Sequence, residues 1–411
     1  VCWASSGRAG SAPAGYRPRR TSPAAADLAA SRARLAAGYF WYFTAIGLFV
    51  PYWPLYLDAR GFDAVQIGLL MSVFAALRVV GPPLYAHWAD VSGRPLALLR
   101  GAALAALACL AAFPWVGSLA AFALLLAAYS ALWNGVMSVY DAHVLEELGP
   151  EAGRYGTLRL WGSVGFIATS VLAGGLLDGA RVTALPVAIA VLVGCTWLAL
   201  GGLGPGAPAG PRRPPAPLGP ALRDRRVHAF LAVSFLMLLS HGAYYGFFSL
   251  YLELHGYSRL AIGALWAWAV VAEIGVFLVA RRLLARFSPR PPTLAPAAAT
   301  PLRWTLIAAV PAAAGLMVFA QALHLASFGL FHLCAVNLAR RLFPAGAAAR
   351  AQALHGSVGY GLGGMLGALA SGWAWEQAGP SAAFALAAAA AAVRGILALA
   401  GLGRLPPGRG A

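Results

Sequence analysis

The stretch Leu55-Tyr-Leu-Asp-Ala-Arg-Gly-Phe62, followed by Ile67-Gly68, recurs as Leu250-Tyr-Leu-Glu-Leu-His-Gly-Tyr257, followed by Ile262-Gly263. The second copy begins 195 residues after the first. An independent pair, Gly162-Ser-Val-Gly165 and Gly356-Ser-Val-Gly359, recurs at an offset of 194 residues. Two matches at almost the same offset indicate that the chain contains two similar halves, and this repeat decides the fold class.

The composition indicates a membrane protein. The 411 residues are 60% hydrophobic and only 10% charged, and the mean hydropathy is +0.72. A helix that spans a bilayer needs roughly 20 mostly apolar residues, so the chain has room for about a dozen spans with short connections. This composition excludes a large soluble catalytic domain.

The excess of basic residues does not indicate nucleic-acid binding. Thirty basic residues stand against 13 acidic ones, and all the basic residues are arginines. They do not gather on one soluble face, as nucleic-acid binding would require. Cys109, Cys195 and Cys334 fall in apolar stretches and Cys2 lies near the start, so we expect neither a disulfide framework nor a metal site.

Apolar runs of spanning length recur along the chain, separated by proline, glycine and charge clusters. Six come first, at about 35–57, 66–87, 96–116, 118–141, 157–178 and 183–203. Six follow, at about 228–252, 260–281, 292–309, 311–337, 351–375 and 381–403. The predicted organisation is a disordered tail (1–34), a six-helix bundle (35–203), a proline-rich cytoplasmic linker (204–227), a second six-helix bundle (228–403) and a short tail (404–411).

The arginines also predict the orientation in the membrane. They concentrate in the loops after runs 2, 4, 6, 8 and 10, whereas the opposite loops hold only Arg60, Arg181 and Arg259. Positive loops stay in the cytoplasm, so both termini and the linker are expected there. Because each half contains an even number of spans, six, the two halves are expected to have the same direction through the membrane. They would be related by an axis along the membrane normal, with a substrate site between them near the midplane.

The loop after the second run carries a recognisable motif. Ala86-His-Trp-Ala-Asp90-Val-Ser-Gly93-Arg94 resembles the cytoplasmic signature loop of the major facilitator superfamily, Gly-x-x-x-Asp-x-x-Gly-Arg, with Ala86 in place of the first glycine. The resemblance implies that Asp90, Gly93 and Arg94 control helix contacts during alternating access. A helix-capping aspartate beside a positive-inside arginine is the alternative interpretation.

Other segments sharpen this resemblance. They are Gly38-Tyr-Phe-Trp-Tyr-Phe43, Pro51-Tyr-Trp-Pro-Leu-Tyr56, Arg159-Leu-Trp-Gly-Ser-Val164 and Ser240-His-Gly-Ala-Tyr-Tyr-Gly246. Together they resemble the phenylpropionate permease group and, more distantly, lactose permease and the nucleoside:proton symporters. The resemblance runs from about Leu35 to Leu402 and implies an all-α, twelve-span major facilitator fold.

Ionisable residues inside spans are expensive and are therefore functional candidates. Asp141 ends the fourth run and Arg159 begins the fifth, so the two side chains can face each other across a hairpin. In lactose permease a carboxylate and an arginine with this separation bind the sugar, and the resemblance assigns Asp141 and Arg159 to substrate binding. A structural ion pair is the alternative.

The proton-coupling candidates lie in the second half. The tenth run carries Gln321, His324 and Ser327, aligned with positions where lactose permease has a lysine, a histidine and its proton-carrying carboxylate. Arg303 matches an arginine that helps to deprotonate that carboxylate. Because Ser327 replaces it, Glu273 in the eighth run is the best candidate for proton transfer, with Arg303 and His324 beside it. A permanent salt bridge from Glu273 to Arg303 or His324 is the alternative.

Aromatic and basic residues complete the candidate cavity. His241, Tyr244 and Tyr245 are spaced to project from one helix face, and Tyr52 and Trp53 would add ring faces from the first run. Packing is the alternative for such an aromatic stripe. Arg78, in the second run, is a candidate for binding an anionic substrate or pairing with an acid, whereas Arg394 in the last run is expected to snorkel.

From these features we expect a proton-coupled symporter of a bacterial inner membrane, working by alternating access on a small organic solute. An aromatic carboxylate such as 3-phenylpropionate is the favoured substrate, and a nucleoside or sugar is the alternative. A non-transporting receptor on the same fold is a rival, whereas enzyme motifs are missing from the sequence. The expected partners are substrate, protons and the bilayer, with no nucleic acid, no cofactor and a monomeric state.

Overall fold

A computed structural model of the chain describes residues 23–177, 180–204, 218–286, 294–344 and 347–402. Over these residues the chain is helical and contains no strand. The helices are α1 (Pro23–Ala59), α2 (Ala64–Ser92), α3 (Pro95–Ala112), α4 (Leu119–Trp133), α5 (Val136–Leu148), α6 (Tyr155–Leu176), α7 (Leu185–Gly201), α8 (Arg225–Ser240), α9 (Gly242–Leu254), α10 (Arg259–Arg286), α11 (Leu294–Ala309), α12 (Ala314–Ala322), α13 (Phe331–Leu342), α14 (Ala348–Gly356), α15 (Gly364–Ala378) and α16 (Pro380–Leu402).

The length and apolar character of these helices fit a membrane. Within the described ranges, nine helical stretches are long and apolar enough to cross a bilayer. One of them, Leu119–Leu176, is 58 residues long, far more than a single crossing needs. The short 3₁₀ segment Gly149–Arg154 divides this stretch between α5 and α6.

Four of the predicted apolar runs are broken near their middle. The helix ends at Asn134 and Gly135 between α4 and α5, and again at His241 between α8 and α9. Two π-helical segments, Leu325–Leu330 and Ser357–Gly363, join α12 to α13 and α14 to α15. Such π insertions occur frequently at functional sites.

The start of α1 corrects the predicted N-terminal tail. We predicted disorder through residue 34, but α1 begins at Pro23, because proline fits the first turn of a helix and the alanines after it are strong helix formers. Arg32 pairs with Glu151 at 2.5 Å, and Arg34 donates to the Gly202 carbonyl. Residues 1–22, 205–217 and 403–411, which hold the rest of the predicted tails and most of the linker, lie outside the described residues.

The two copies of the repeated stretch adopt the same turn. Gly61 and Gly256 have φ of 82° and 81°, a left-handed conformation that glycine adopts without strain. Gly61 N–H donates to Asp58 O at 2.8 Å, and Gly256 N–H donates to Glu253 O at 3.0 Å. The sequence repeat is therefore also a repeat of local structure.

The signature loop forms a tight turn between α2 and α3. Gly93, with φ of 60°, ends α2 and donates its N–H to Ala89 O. Asp90 lies exposed in the last turn of α2, and Arg94 precedes the first residue of α3. The left-handed turn explains why the motif requires glycine at this position.

One end of the helix assembly is tightly sealed between the N-terminal helices α1–α7 and the C-terminal helices α8–α16. Arg259 donates from Nη1 to Leu177 O at 2.5 Å, and the Tyr52 hydroxyl donates to Arg259 O at 3.2 Å. Gly68 and Gly372 place the backbones of α2 and α15 in contact. We call this region, with the turns at Gly61 and Gly256, the sealed end.

Candidate functional site

A cavity of about 1000 Å³ lies between the N-terminal and C-terminal helices. It extends from Phe49 and Val50 in α1 to Gly156 and Thr157 in α6, which are exposed at the end opposite the sealed end. Its lining includes charged residues, histidines and tyrosines from both sets of helices: Arg78, Asp141, Tyr155, Arg159, Tyr244, Tyr245, Glu273, His324, His332 and Tyr360. The structure therefore brings most of the predicted site residues together.

The carboxylate of Asp141 is already engaged. The Tyr39 hydroxyl donates to Oδ1 of Asp141 at 2.7 Å, and Tyr155 lies near the same carboxylate. The Tyr39 and Tyr155 rings meet edge to face, with centroids 6.3 Å apart. The Tyr39 hydroxyl thus binds the acid that the resemblance assigned to substrate binding, and the alternative ion pair with Arg159 is not formed among the described residues.

Arg159 presents its charge to the cavity. Its guanidinium carbon lies 4.0 Å from the centre of the Phe43 ring and 5.4 Å from the centre of the Tyr39 ring. Within the part of the chain that the structure describes, no protein acceptor forms a hydrogen bond with it. Cation–π contacts stabilise the position of an arginine but do not use its N–H donors, so those donors are available to a ligand.

Glu273 lies midway along α10 on the cavity wall. Its side chain is 21% exposed, and its Oε2 is 3.7 Å from Nε2 of His324. Gly329 in the first π segment makes room for it, because an added Cβ there would lie 3.1 Å from Cγ of Glu273. The predicted proton carrier is therefore half-buried and adjacent to the predicted histidine.

Arg303 lies in a fully buried polar cluster behind this wall. It donates to Gln321 Oε1 at 2.7 Å, His324 Nδ1 at 2.8 Å and Ser327 Oγ at 3.2 Å. The residues that replace the charged groups of lactose permease are thus the ones that bind Arg303. The permanent Glu273–Arg303 salt bridge, considered as an alternative, is not formed in the described structure.

His241 occupies a different place from the predicted one. It lies at the break between α8 and α9, fully buried, with Nδ1 2.8 Å from Met237 O and its ring against Trp304. Its ring contacts those of Tyr244 and Tyr245, but these two tyrosines line the cavity and His241 does not. His241 therefore packs behind the cavity wall.

Tyr52 and Trp53 also differ from the prediction. Tyr52 is fully buried and donates to Ser170 O at 2.6 Å, so it joins α1 to α6 at the sealed end. Trp53 is fully buried in an aromatic cluster with Phe49, Tyr56 and Phe113. Both residues serve packing, which was the alternative interpretation of the aromatic stripe.

Comparisons with known proteins identify the family of this chain. The model of the MFS_1 like family matches residues 32–386. The chain belongs to this family of the major facilitator superfamily. It is 33% identical to a probable 3-phenylpropionic acid transporter of Escherichia coli over 74% of the chain and 80% of that relative. It is 30% identical to a maltose permease of Geobacillus stearothermophilus, over 82% of the chain and 86% of the permease.

Solved structures share the fold of this MFS_1 like protein. A crystal structure of a mutant form of the nucleoside transporter NupG matches with a TM-score of 0.81 at 18% identity, over 90% of the chain and 99% of that structure. A bacterial homologue of the lysosomal transporter Spinster matches with a TM-score of 0.65 at 13% identity, over 91% and 95%. The chain is therefore a multi-pass membrane transporter rather than an enzyme.

Several cavity residues of the transporter were not assigned to the site from the sequence, and His332 and Tyr360 are two polar ones among them. His332 and Tyr360 line the cavity and contact each other, with Nδ1 and the hydroxyl 3.2 Å apart. His332 follows His324 by eight residues, a spacing that keeps both on one broad helix face and was a usable signal. Arg78 is on the wall as predicted, with its guanidinium over the Phe74 ring.

Arg394 of the transporter does not snorkel. It is buried between α16, α11 and α8, where it donates to Pro296 O and Thr300 Oγ1. Its guanidinium also lies over the Phe331 ring. Because its partners are neutral acceptors supplied by neighbouring helices, the charge remains inside the bundle instead of reaching the interface.

Proposed function

We propose that the protein is a secondary active transporter that carries a small aromatic carboxylate together with protons by alternating access. The observation that carries the proposal is the contrast between two neighbours in the cavity. Asp141 accepts a hydrogen bond from the Tyr39 hydroxyl, whereas Arg159 has no hydrogen-bond acceptor among the described residues.

This contrast favours an anionic solute. With its donors free and its ring contacts already made, Arg159 is ready for the bidentate bond that a guanidinium forms with a carboxylate. A sugar would instead need acceptors such as a free Asp141 carboxylate. Arg78, on the same wall, adds a second positive charge to the cavity.

The rest of the wall suits a flat hydrocarbon ring. Phe43, Tyr245, Trp266 and Phe328 line the same cavity, and aromatic pairs gain about 0.5–1.5 kcal/mol beyond the burial of area. A relative that is 33% identical is named as a probable 3-phenylpropionic acid transporter. We therefore take 3-phenylpropionate as the probe of this substrate class.

Glu273 is the proposed proton carrier. It is partly buried, faces the cavity and lies beside His324. A carboxyl group that faces a cavity can take up and release a proton, and nearby positive groups interact only with its charged form. Binding of an anion at Arg159 would reduce that positive influence and so couple substrate to proton.

We also propose the complete topology. The paired helices α4–α5, α8–α9, α12–α13 and α14–α15 each form one span, so the chain has twelve spans in two parallel six-helix repeats, divided at the linker 204–227. The matching turns at Gly61 and Gly256 support this. With both termini in the cytoplasm of a bacterial cell, the cavity faces inward, and the transporter acts as a monomer in the inner membrane.

Uptake into proteoliposomes tests the proposal. Purified protein is reconstituted, and labelled 3-phenylpropionate, a nucleoside and maltose are offered with an inward proton gradient, with and without protonophore. The proposal predicts accumulation of 3-phenylpropionate that collapses with protonophore. Absence of accumulation of every compound by folded protein would contradict it and favour the receptor alternative.

Glu273→Gln separates proton coupling from substrate binding. The amide cannot release a proton, so we expect gradient-driven accumulation to be lost while exchange of labelled for unlabelled 3-phenylpropionate continues. Glu376→Gln in α15 is the matched control, because Glu376 is not among the residues that line the cavity. Loss of exchange and accumulation together in Glu273→Gln alone would argue against the proposed role.

A sugar or nucleoside is the second candidate substrate. The observation that favours it is the cavity volume of about 1000 Å³, which exceeds what a phenylpropionate fills, together with 30% identity to a maltose permease. Proton-driven uptake of maltose or the nucleoside, with none of the carboxylate, would establish this alternative.

A further inference from the structure

We propose that His324 is a neutral histidine whose Nε2–H is held toward Glu273 by Arg303, so that it acts as a fixed hydrogen-bond donor and not as a proton carrier. The inference rests on the proposed role of Glu273 in proton coupling. It deepens that role, because it assigns the protonation state and direction of the group next to the carrier.

The contact with Arg303 determines the tautomer. Nη1 of Arg303 lies 2.8 Å from Nδ1 of His324. A guanidinium has only donors and stays protonated in proteins, so Nδ1 must accept this hydrogen bond through its lone pair. A neutral imidazole with an unprotonated Nδ1 carries its proton on Nε2. Nε2 is the atom that faces Glu273.

The residues around Arg303 fix the direction of its hydrogen bonds, so that Arg303 donates to each of them. Gln321 accepts from Arg303 through Oε1, and its amide nitrogen lies 3.1 Å from both the Tyr244 hydroxyl and Leu265 O. The amide orientation is therefore determined, since a flipped Gln321 would direct donors at the guanidinium. The His324 ring is further held by stacking on Phe328, at 5.1 Å and 7°.

The same geometry excludes an imidazolium. A second proton on His324 would have to sit on Nδ1, between the ring and the guanidinium, and would break the 2.8 Å contact. It would also place two cations side by side where both side chains are buried, at a high desolvation cost. His241, whose ring centre is 6.3 Å from that of His324, cannot compensate such a charge, because an imidazole is either neutral or positive.

The donor has a specific effect on Glu273. The Nε2 to Oε2 distance of 3.7 Å is longer than a hydrogen bond, but functional contacts often tighten only in the loaded complex. A donor favours the charged form of a carboxylate, so His324 promotes release of the proton. Arg303 acts through His324 and is a positioning residue.

Other groups also act on this pair from the surrounding helices. Those that face Glu273 are Arg159 from α6, Tyr244 and Tyr245 from α9, and Tyr360 from the second π segment. Those that face His324 are Arg303 from α11 and His241 from the α8–α9 break. Because these groups remain in place in a His324 substitution, the effect of the Nε2 donor can be isolated.

Nitrogen-15 NMR of histidine-labelled protein tests the tautomer directly. The His324 resonance is identified by its disappearance in His324→Gln. We expect an unprotonated Nδ1 and a protonated Nε2 from about pH 5.5 to about pH 8, where an ordinary histidine titrates. A proton on Nδ1, or protonation of both nitrogens within this range, would overturn the inference.

Two variants test the effect on coupling. The Gln side chain places an amide donor near the position of Nε2, whereas Asn reaches only the position of Nδ1. We expect the pH midpoint of proton-driven uptake to stay close to that of the wild type in His324→Gln and to rise by about one unit in His324→Asn, because the donor to the carboxylate is lost. Equal shifts in both variants would refute the fixed-donor role.

The two readouts separate this inference from the proposed function. If no solute is taken up with protons, the proposed function fails, and the NMR result still decides whether Arg303 fixes the tautomer. If uptake is proton-driven but His324 becomes an imidazolium in the wild type, the proposed function stands and the fixed-donor inference fails.

Discussion

The Tyr39 hydroxyl lies 2.7 Å from Oδ1 of Asp141, linking residues that are 102 positions apart in the chain. This hydrogen bond, with Tyr155 near the same carboxylate, keeps the acid from pairing with Arg159. The tyrosines therefore determine which charge the cavity presents to a solute. A carboxylate without this donor would compete with an anionic substrate for the guanidinium.

Tyr39→Phe tests this competition. Without the hydroxyl, Asp141 is free to pair with Arg159, and we expect the Kd for 3-phenylpropionate to rise about tenfold, the equivalent of roughly 1.4 kcal/mol. Binding is measured by isothermal titration calorimetry. Tyr129→Phe is the matched control, because the Tyr129 hydroxyl is buried with no hydrogen-bond partner in the described structure. An unchanged Kd in Tyr39→Phe would show that Asp141 does not compete.

Gly263→Ala tests the sealed end. An added Cβ on Gly263 would collide with Ser170 O and the Tyr52 hydroxyl, so the sealed conformation should become less populated. Spin labels at Asp58 and Leu254, both exposed near the sealed end, report the separation in a background lacking the four native cysteines. We expect a larger share of long distances between the two spin labels in Gly263→Ala than in the parent protein.

Gly275→Ala is the control for this experiment. Gly275 lies on the same helix, and nothing is within 4 Å of its added Cβ. Its distance distribution should match that of the parent protein. If Gly263→Ala gives the parent distribution as well, the close contact between α6 and α10 does not limit opening of this end.

Arg394→Ala tests the buried arginine of α16. The substitution removes the hydrogen bonds that the guanidinium donates to Pro296 O and Thr300 Oγ1 and opens a cavity, so we expect a loss of about 2–4 kcal/mol in stability. Thermal unfolding in detergent reports the change. Ile396→Ala, on the exposed face of the same helix, should have a much smaller effect. Equal Tm values for Arg394→Ala and the wild type would contradict a stabilising role.

Sequence patterns predicted the positions of the helices more reliably than the orientation of each helix about its own axis. Apolar runs and proline boundaries located the helices within a few residues in most cases, because apolar length and helix breaking are properties of local sequence. The turns at Gly61 and Gly256 were likewise visible as a repeat. The start of α1 was missed because arginines and alanines near Pro23 do not form an apolar run.

The site was predicted in composition but not in geometry. Arg159, Glu273, His324 and Tyr245 line the cavity as expected. His241 does not, because the break at this residue changes the direction of the helix face. The sequence around Trp53 is the same whether its ring packs in the core or contacts a substrate. Only the residues that surround it in the structure distinguish these two roles.

Partners between distant residues were the least predictable feature. The Tyr39–Asp141 and Arg303–His324 contacts depend on which helices lie together and on how each one is rotated. The sequence suggested that Arg303 lacks the carboxylate partner of lactose permease, because Ser327 stands at that position. In the structure Arg303 donates to Ser327. It did not show that neutral acceptors had taken over the role.

The most direct test of the central claim compares a carboxylate with its uncharged analogue. The Kd values of 3-phenylpropionate and 3-phenylpropanol are measured for the wild type, for Arg159→Gln and for Arg154→Gln, an exposed arginine paired with Glu151. If Arg159 binds the carboxylate, the wild type and Arg154→Gln will prefer the acid by about tenfold or more, and Arg159→Gln will lose this preference. A preference for the acid that survives in Arg159→Gln would contradict the account.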